Sequence, residues 1–387
     1  MFSQRTSWNL APNALALAVE AYRKAGKPLL DLTVSNPTKV GLQYDGDAML
    51  RALANPAALD YQPESKGLLA AREAVAEYYC CLRPEQADVS PEQIILTVST
   101  SEAYAFVFRL LCNLGDEVLV PTPSYPLFQF LADLQDVRLV PYALFYDHGW
   151  HIDVHLLESA LTAHSRAIVL VHPNNPTGSY VSEIEAEQLN ELCRQRGMAL
   201  LVDEVFLDYD LGVRRPSFAF NSGALTFTLS GISKVSALPQ MKLAWMVCSG
   251  PEELVRPALE RLEVIADTYL SMNAPVQLAA PALLSQRHSI CKQLMERISR
   301  NLAELDRQLA LQSHCARLNV EGGWYVVLRV PVTRSDEELA ITLLENAGVL
   351  VQPGYFYDFP GDGYLVLSVI VPEGEFGDGV RRILQLV

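Results

Sequence analysis

Between residues 94 and 249 the chain alternates short, continuous apolar runs with longer amphipathic stretches, and this alternation restricts the fold more than any other feature. IILTV (94–98) precedes EAYAFVFRLLCNLG, which has helical spacing and closes on a glycine; EVLV (117–120) and RLVPYAL (138–144) follow. AIVLVH (167–172), ALLVDEV (199–205), TFTLSG (226–231) and LAWMVCS (243–249) complete the series, with EIEAEQLNELCRQRG as a helical stretch between the first two. Strands that are apolar on both faces need cover on both faces, and helices in parallel crossovers supply it. The expectation is an α/β fold with a mostly parallel seven-stranded sheet sandwiched by helices. Beyond 251 the pattern turns helical, and WYVVLRV (324–330), a helix near 335–347, VLVQPG and YLVLSVIV form a smaller α+β unit. The first forty residues are expected to return to that unit, because a lone N-terminal helix needs a surface for its Ala/Leu face. The predicted division is a large domain at 41–274 and a small domain built by both termini, 1–40 and 275–387, with the hinge near Pro275.

A chain of 387 residues exceeds what one hydrophobic core usually organises, in keeping with two units. A net charge of −15 argues against nucleic acid or an anionic membrane as a partner, since such a surface repels phosphate. Apolar runs such as VLSVIV (366–371) are strand-sized, too short to span a bilayer. The N-terminus reads as a short helix, not as a leader. The cysteines (80, 81, 112, 193, 248, 291 and 315) are scattered with no CxxC pair, so neither a zinc framework nor a disulfide scaffold is expected, and no metal. A reducing, cytoplasmic setting follows.

Four signals sit at the C-terminal ends of predicted strands, where open α/β sheets bind ligands. Lys234, in LSGISKVSALPQMKLAW, follows a strand and has small hydroxyl neighbours, Ser233 among them; a desolvated amine there is nucleophilic near neutral pH. Asp203 ends an apolar strand, where a carboxylate needs a cationic partner. Asn175 lies in HPNNPTG (172–178), and LTVSTSEAY (96–104) joins a strand to a helix through Ser99, Thr100 and Ser101, whose hydroxyls and N–H groups suit a phosphate. Taken singly, each has an ordinary explanation: a surface lysine, a helix cap, a turn, a second cap.

In this order and spacing the four signals resemble the class I/II pyridoxal-phosphate aminotransferases of the aspartate-aminotransferase fold, over nearly the whole chain from LTVSNPT (32–38) onward. NNPTG and SK…LPQMKLAW are the most specific parts. The resemblance implies an enzyme that carries pyridoxal 5′-phosphate as a Schiff base on Lys234 and moves an amino group from an amino acid or amine to a 2-oxo acid. By the same resemblance Asp203 pairs with the pyridine nitrogen, and Asn175 bonds the ring's phenolic oxygen beside a cis Asn175–Pro176 bond. Tyr125 in PTPSYP stacks on the ring, and Ser99, Thr100 and Ser101 hold the phosphate. Tyr61, in YQPESKG, corresponds to a tyrosine that reaches the phosphate of the neighbouring subunit, which makes the protein a homodimer with shared active sites.

Three positions depart from the family pattern. Phe206, in DEVF, stands where a tyrosine gives the phenolic oxygen a second donor. Lys242 replaces an arginine on the phosphate, keeping the charge without the two-pronged geometry. Val366, in YLVLS, stands where an arginine binds the substrate carboxylate. Ser35, Asn36 and Lys39, just after the first predicted strand, are the candidate substitutes, with Arg329 behind Lys39. Val366 also keeps open a lyase or decarboxylase of the same fold, since a differently held carboxylate presents a different bond to the ring. Trp8, Tyr125, Phe206 and Tyr355 hint at an apolar or aromatic substrate pocket.

Overall fold

The computed structural model describes residues 1–82, 89–213 and 215–387. The chain opens with α1 (Ala14–Lys24), capped by the Asn13 side chain, and β1 (Leu30–Asp31). Two helices, α2 (Gly46–Leu53) and α3 (Leu69–Leu82), lead into the main sheet. Its strands are β2 (Ile94–Thr97), β3 (Glu117–Thr122), β4 (Arg138–Tyr146), β5 (Trp150–Ile152), β6 (Ser165–Val171), β7 (Ala199–Asp203), β8 (Thr226–Gly231) and β9 (Ala244–Ser249). They lie in the order β2-β9-β8-β7-β6-β3-β4-β5. Between them run α4 (Thr100–Leu111), α5 (Phe128–Asp133), α6 (Val154–Ser159), α7 (Glu183–Arg196) and the short α8 (Ile232–Val235). The seven expected strands are all present. The eighth, β5, is a three-residue edge strand that folds back antiparallel on β4, too short to register as a run.

Strand alternation decides which helices cover which face. In β6, Ala167, Val169 and Val171 point into one core with Phe106 of α4, Phe128 of α5 and Leu262 of α9 (Glu252–Tyr269). Ile168 and Leu170 point the other way, against Leu189 and Leu192 of α7. On that second face, Ile94, Leu96, Trp245 and Val247 pack on α3 and on α10 (Ala274–Ser285).

After α11 (Arg287–Leu309) come β10 (Ala316–Arg317), β11 (Tyr325–Arg329), α12 (Asp336–Ala347), β12 (Val349–Leu350), β13 (Gln352–Pro353), β14 (Tyr364–Ser368) and α13 (Glu373–Leu386). A separate antiparallel sheet has the order β10-β11-β14-β13. The N-terminal segment does return here: β1 pairs in parallel with β12, and α1 packs on α12. This core also takes in Trp150, Phe206, Tyr209 and Ala237 from the main-sheet side, so the two sheets meet around the residues that follow β7 and β8. Among the described residues no helix is long and apolar enough to cross a membrane.

Candidate active site

Strands β3, β6, β7 and β8 are parallel, and β2 runs the same way because β9 is antiparallel to both β2 and β8. With β4, parallel to β3, the C-terminal ends of six strands therefore open on one edge, and each predicted signal leaves the sheet there. At the end of β8, Gly231 lies against β9: a Cβ would sit 2.9 Å from Ala244 Cβ and 3.0 Å from the Leu243 carbonyl. That close approach starts α8 and brings Lys234 up beside the strand ends. Tyr209 donates its hydroxyl to the Lys234 carbonyl at 2.6 Å, and Tyr44 donates to the Ala237 carbonyl at 2.9 Å. The Lys234 amine is desolvated, which pushes its pKa down to about 8 against the opposing pull of Asp203.

Asp203, at the end of β7, is buried, and burial pushes its carboxyl up to about 6. Three contacts work against that rise: the Val205 N–H at 3.1 Å, the Tyr104 hydroxyl at 3.3 Å, and the charge of Lys234. No helix starts at Asp203, so it is not a cap. Amine and carboxylate thus stand on neighbouring strand ends, each feeling the other without forming an ion pair among the described residues. Tyr125, after β3, packs edge-on against Phe128 at 5.9 Å, and its hydroxyl is pushed up by burial and by Asp203.

The two asparagines after β6 divide their labour. Asn174 builds the turn: its amide donates to the Pro123 carbonyl at 3.0 Å and to Thr177 at 2.8 Å, and accepts from Ser124 at 3.0 Å. Asn175 is left with a buried side-chain oxygen that has no partner, beside a cis bond to Pro176. A buried polar atom without a partner is the exception in folded proteins and marks a place built for something else.

The run Ser99–Glu102 caps α4. Ser99 caps α4 by accepting from the Glu102 N–H at 3.2 Å, while Glu102 accepts from the Val98 N–H at 2.9 Å and from Ser271 at 2.8 Å. Ser99 is thereby committed to the helix, whereas Thr100 and Ser101 remain partly accessible on its first turn. Lys242 is exposed and holds a left-handed backbone (φ 54°). Ser233 flanks Lys234 and is partly accessible. Tyr61 is 81% exposed and lines a surface cavity with Leu270, Ser271 and Met272.

Residues 27–375 match the profile of the family described as aminotransferase class I and II. The chain belongs to this family. The aminotransferase is 29% identical over 372 residues to a glutamate–pyruvate aminotransferase of Haemophilus influenzae, a match covering 94% of this chain and 91% of the relative. It is 28% identical over 369 residues to an alanine aminotransferase of Mycobacterium tuberculosis, with 92% and 85% covered. Among solved structures, an alanine aminotransferase from Pyrococcus furiosus superposes with a TM-score of 0.90 at 23% identity, over 100% of this chain and 99% of that one. A mutant aspartate aminotransferase from Thermus thermophilus gives 0.86, also at 23% identity, over 100% of each. At such identities these structures establish the fold. The family is one of pyridoxal-phosphate-dependent enzymes, and this chain is a transaminase.

Other residues of the aminotransferase fall less neatly. Val366 is fully buried in the small-sheet core, paired with Val327 and Gln352. Arg329 lies at the far end of β11 with its guanidinium 4.2 Å over the Tyr364 ring, which removes it from the cleft. Ser35, Asn36 and Lys39 lie exposed on the strap after β1, and Asn36 caps the turn Pro37–Lys39. Ser368, two residues past Val366, fastens that strap through its hydroxyl to the Val34 carbonyl at 2.6 Å. Trp8 donates to Asp133 at 2.7 Å, and Tyr355 donates to Glu337 at 2.8 Å; both side chains are committed there. Two aromatics went unnoticed in the sequence, Tyr104 on Asp203 and Trp324 beneath Lys234. Tyr104 lies in a stretch with helical spacing, but nothing in the sequence marked its hydroxyl.

Proposed function

We propose that this transaminase binds pyridoxal 5′-phosphate covalently through Lys234 and exchanges amino groups between a small amino acid, such as alanine or glutamate, and a 2-oxo acid. The observation that carries this reading is the pairing of a desolvated lysine with a buried aspartate on adjacent strand ends, charged toward each other yet not joined. The residues present fit the cofactor: Asp203 is an anion waiting for a protonated ring nitrogen, and Asn175, whose side-chain oxygen is buried without a partner, makes no side-chain hydrogen bond among the described residues and so keeps its amide N–H groups for the phenolic oxygen. Bound there, the cofactor supplies an electron-accepting ring that stabilises negative charge at the substrate α-carbon.

The chain's own groups do the rest. Lys234 anchors the cofactor and would then serve as the base that takes the α-carbon proton and delivers it two atoms away, at C4′ beyond the amino nitrogen; an amine brought down to about 8 is matched to that work. Asp203, kept oriented by Val205 and Tyr104, holds the ring nitrogen protonated. Tyr125 covers one ring face and keeps water out. Thr100 and Ser101, with the α4 N-terminus and Lys242, hold the phosphate. Ser35, Asn36 and Lys39 are the substrate's carboxylate contacts, since Val366 offers none.

Leu59 (91% exposed), Tyr61 and Leu270 form an uncovered apolar surface, which supports a homodimer in which Tyr61 completes the partner's site. Buried thiols at Cys193, Cys248 and Cys315 suit a cytoplasmic setting. The chain divides into a large unit that binds the cofactor and a small one made of both termini. The proposed boundaries are 40/41 and, since α10 packs with the main-sheet core, about 286 in place of the expected 275.

Reconstitution tests the proposal. Protein incubated with pyridoxal phosphate should gain a visible-edge absorbance, and borohydride should fix the label on the peptide holding Lys234. Addition of alanine or glutamate alone should then remove that absorbance in a single turnover. A label elsewhere, or none, rejects the site; a label on Lys234 with a decarboxylated or eliminated product rejects transamination. A Lys39→Ala variant that turns over carboxylate donors normally rejects Lys39 as their anchor.

A further inference from the structure

The Lys234 amine faces two aromatic rings as well as a carboxylate. Its Nζ lies 4.7 Å from the Trp324 ring centroid and 5.7 Å from that of Phe206, over the face of each. The rings meet edge to face, 5.3 Å apart at 67°, and so form two walls of one corner. Both are buried, Trp324 completely. The indole Nε1 has no hydrogen-bond partner, so the ring is placed by packing and by its backbone, not by its polar edge.

That backbone is stapled to the loops around the site. The Glu321 N–H donates to the Gly178 carbonyl at 3.1 Å, and the Gly323 N–H donates to the Tyr209 carbonyl at 2.8 Å. Glu321 also accepts from the Tyr180 N–H at 2.9 Å. Gly322 makes the approach possible, since a Cβ there would sit 2.8 Å from the Tyr180 hydroxyl and 2.9 Å from the Tyr209 carbonyl. Tyr209 packs edge-on against Trp324 at 5.0 Å and bonds the Lys234 carbonyl. One residue thus ties the lysine's backbone to the ring its amine faces.

We propose that Trp324, backed by Phe206, is the seat of the Lys234 amine whenever that amine is not bonded to cofactor, and hence a positioning residue for the proton transfers Lys234 performs. This rests on the assignment of Lys234 made above. An aromatic face attracts an ammonium through its quadrupole but accepts no proton. A carboxylate in the same place would lock the amine as an ion pair, and an aliphatic wall would leave its four-carbon arm free among rotamers. The corner keeps the amine at one spot and leaves it able to give up its proton. Asp203 is the charged group acting on it, from β7.

The test uses cofactor-free protein and the pH dependence of Lys234 labelling by a small amine-reactive reagent, read by peptide mass spectrometry. Trp324→Leu should lower the pH at which the amine becomes reactive by roughly half to one unit, which is about a three- to tenfold rise in labelling below the transition. Trp324→Phe should keep most of the wild-type behaviour. If Trp324 merely fills space, the leucine variant admits water, and rehydration moves the transition upward instead. An unchanged or upward transition overturns the proposal. Should the leucine variant not fold, biosynthetic replacement of the four tryptophans by fluorinated tryptophans drains the ring face at nearly constant volume. The transition should then step down with each added fluorine, and a flat series overturns the seat. Reconstitution is read separately by absorbance. A shifted transition without absorbance sinks the cofactor assignment and leaves the seat, and absorbance with a flat series does the reverse.

Discussion

Asp203 and Lys234 each carry a charge that burial opposes, and the consequences for stability have opposite signs along the pH axis. Asp203 is pushed up from 3.8 to about 6. Between those values the folded protein keeps a proton that the unfolded chain has lost, so stability falls as pH rises through the window, and the full penalty stands above about pH 6. Lys234 is pushed down from 10.5 to about 8, so the unfolded chain binds the extra proton there and stability rises between about pH 8 and 10.5. A shift of two units corresponds to about 3 kcal/mol as an upper bound. Asp203→Asn should therefore stabilise cofactor-free protein at pH 7 by about 1–3 kcal/mol, toward the lower end because Lys234 loses its counter-charge. The gain should vanish below about pH 4, while cofactor affinity falls on the order of tenfold or more. Denaturant melts at both pH values and an absorbance titration check this; destabilisation at pH 7 contradicts it. These two residues were legible through their order and spacing with Asn175 and the Ser99–Ser101 turn, since singly they read as a helix cap and a surface lysine. Tyr104 and Trp324 were not, because both read as ordinary core. Tyr104 meets Asp203 across 99 residues of chain, a contact that only the fold creates.

At the scale of elements, two left-handed glycines separate backbone freedom from close contact. Gly197 ends α7 at φ +64°, and a Cβ there would meet nothing within 4 Å. Gly178 has nearly the same backbone (φ +69°), but its Cβ would fall 2.4 Å from Val320 and 2.5 Å from the Gly322 carbonyl. Gly197→Ala should cost about 1 kcal/mol, the left-handed penalty alone. Gly178→Ala should cost on the order of 3 kcal/mol, because the neighbouring segment must move. Since that segment carries Trp324, cofactor uptake should slow in the second variant only; equal losses in chemical denaturation would refute the distinction. Strands β2, β3, β6, β7, β8 and β9 were legible because both faces are buried and each run is continuous, whereas β4 is largely exposed and was read from its apolar run alone. Two helices were legible from their spacing, from Glu183 and near 335, and the structure closes both starts with capping boxes, Ser182 with Glu185 and Ser335 with Glu338. Strand β5 escaped because three residues make no run. The placing of α10 escaped because a helix apolar on nearly every side does not say which core it joins.

The whole molecule has a net charge of −15, and Leu59, Tyr61 and Leu270 are among its exposed large apolar side chains. A charge of that size keeps copies apart unless a specific apolar contact outweighs the repulsion, so the proposed dimer should depend on the Leu59–Tyr61 region. The consequence for function is testable by complementation. Lys234→Ala destroys the anchor in its own chain, and Tyr61→Ala removes the group lent to the partner. If sites are shared, a hybrid dimer has one site with both defects and one with neither. Random pairing makes half of the dimers hybrids, so mixing the two weak variants should restore roughly a quarter of wild-type activity. If each site is built from one chain, no pairing rescues anything, and the mixture shows only the mean of its parents. The recovered activity should also fall on dilution as hybrids dissociate, in step with the dimer fraction seen by sedimentation. A mixture that never rises above that mean, at any concentration, would place Tyr61 in its own chain's site and overturn the sharing.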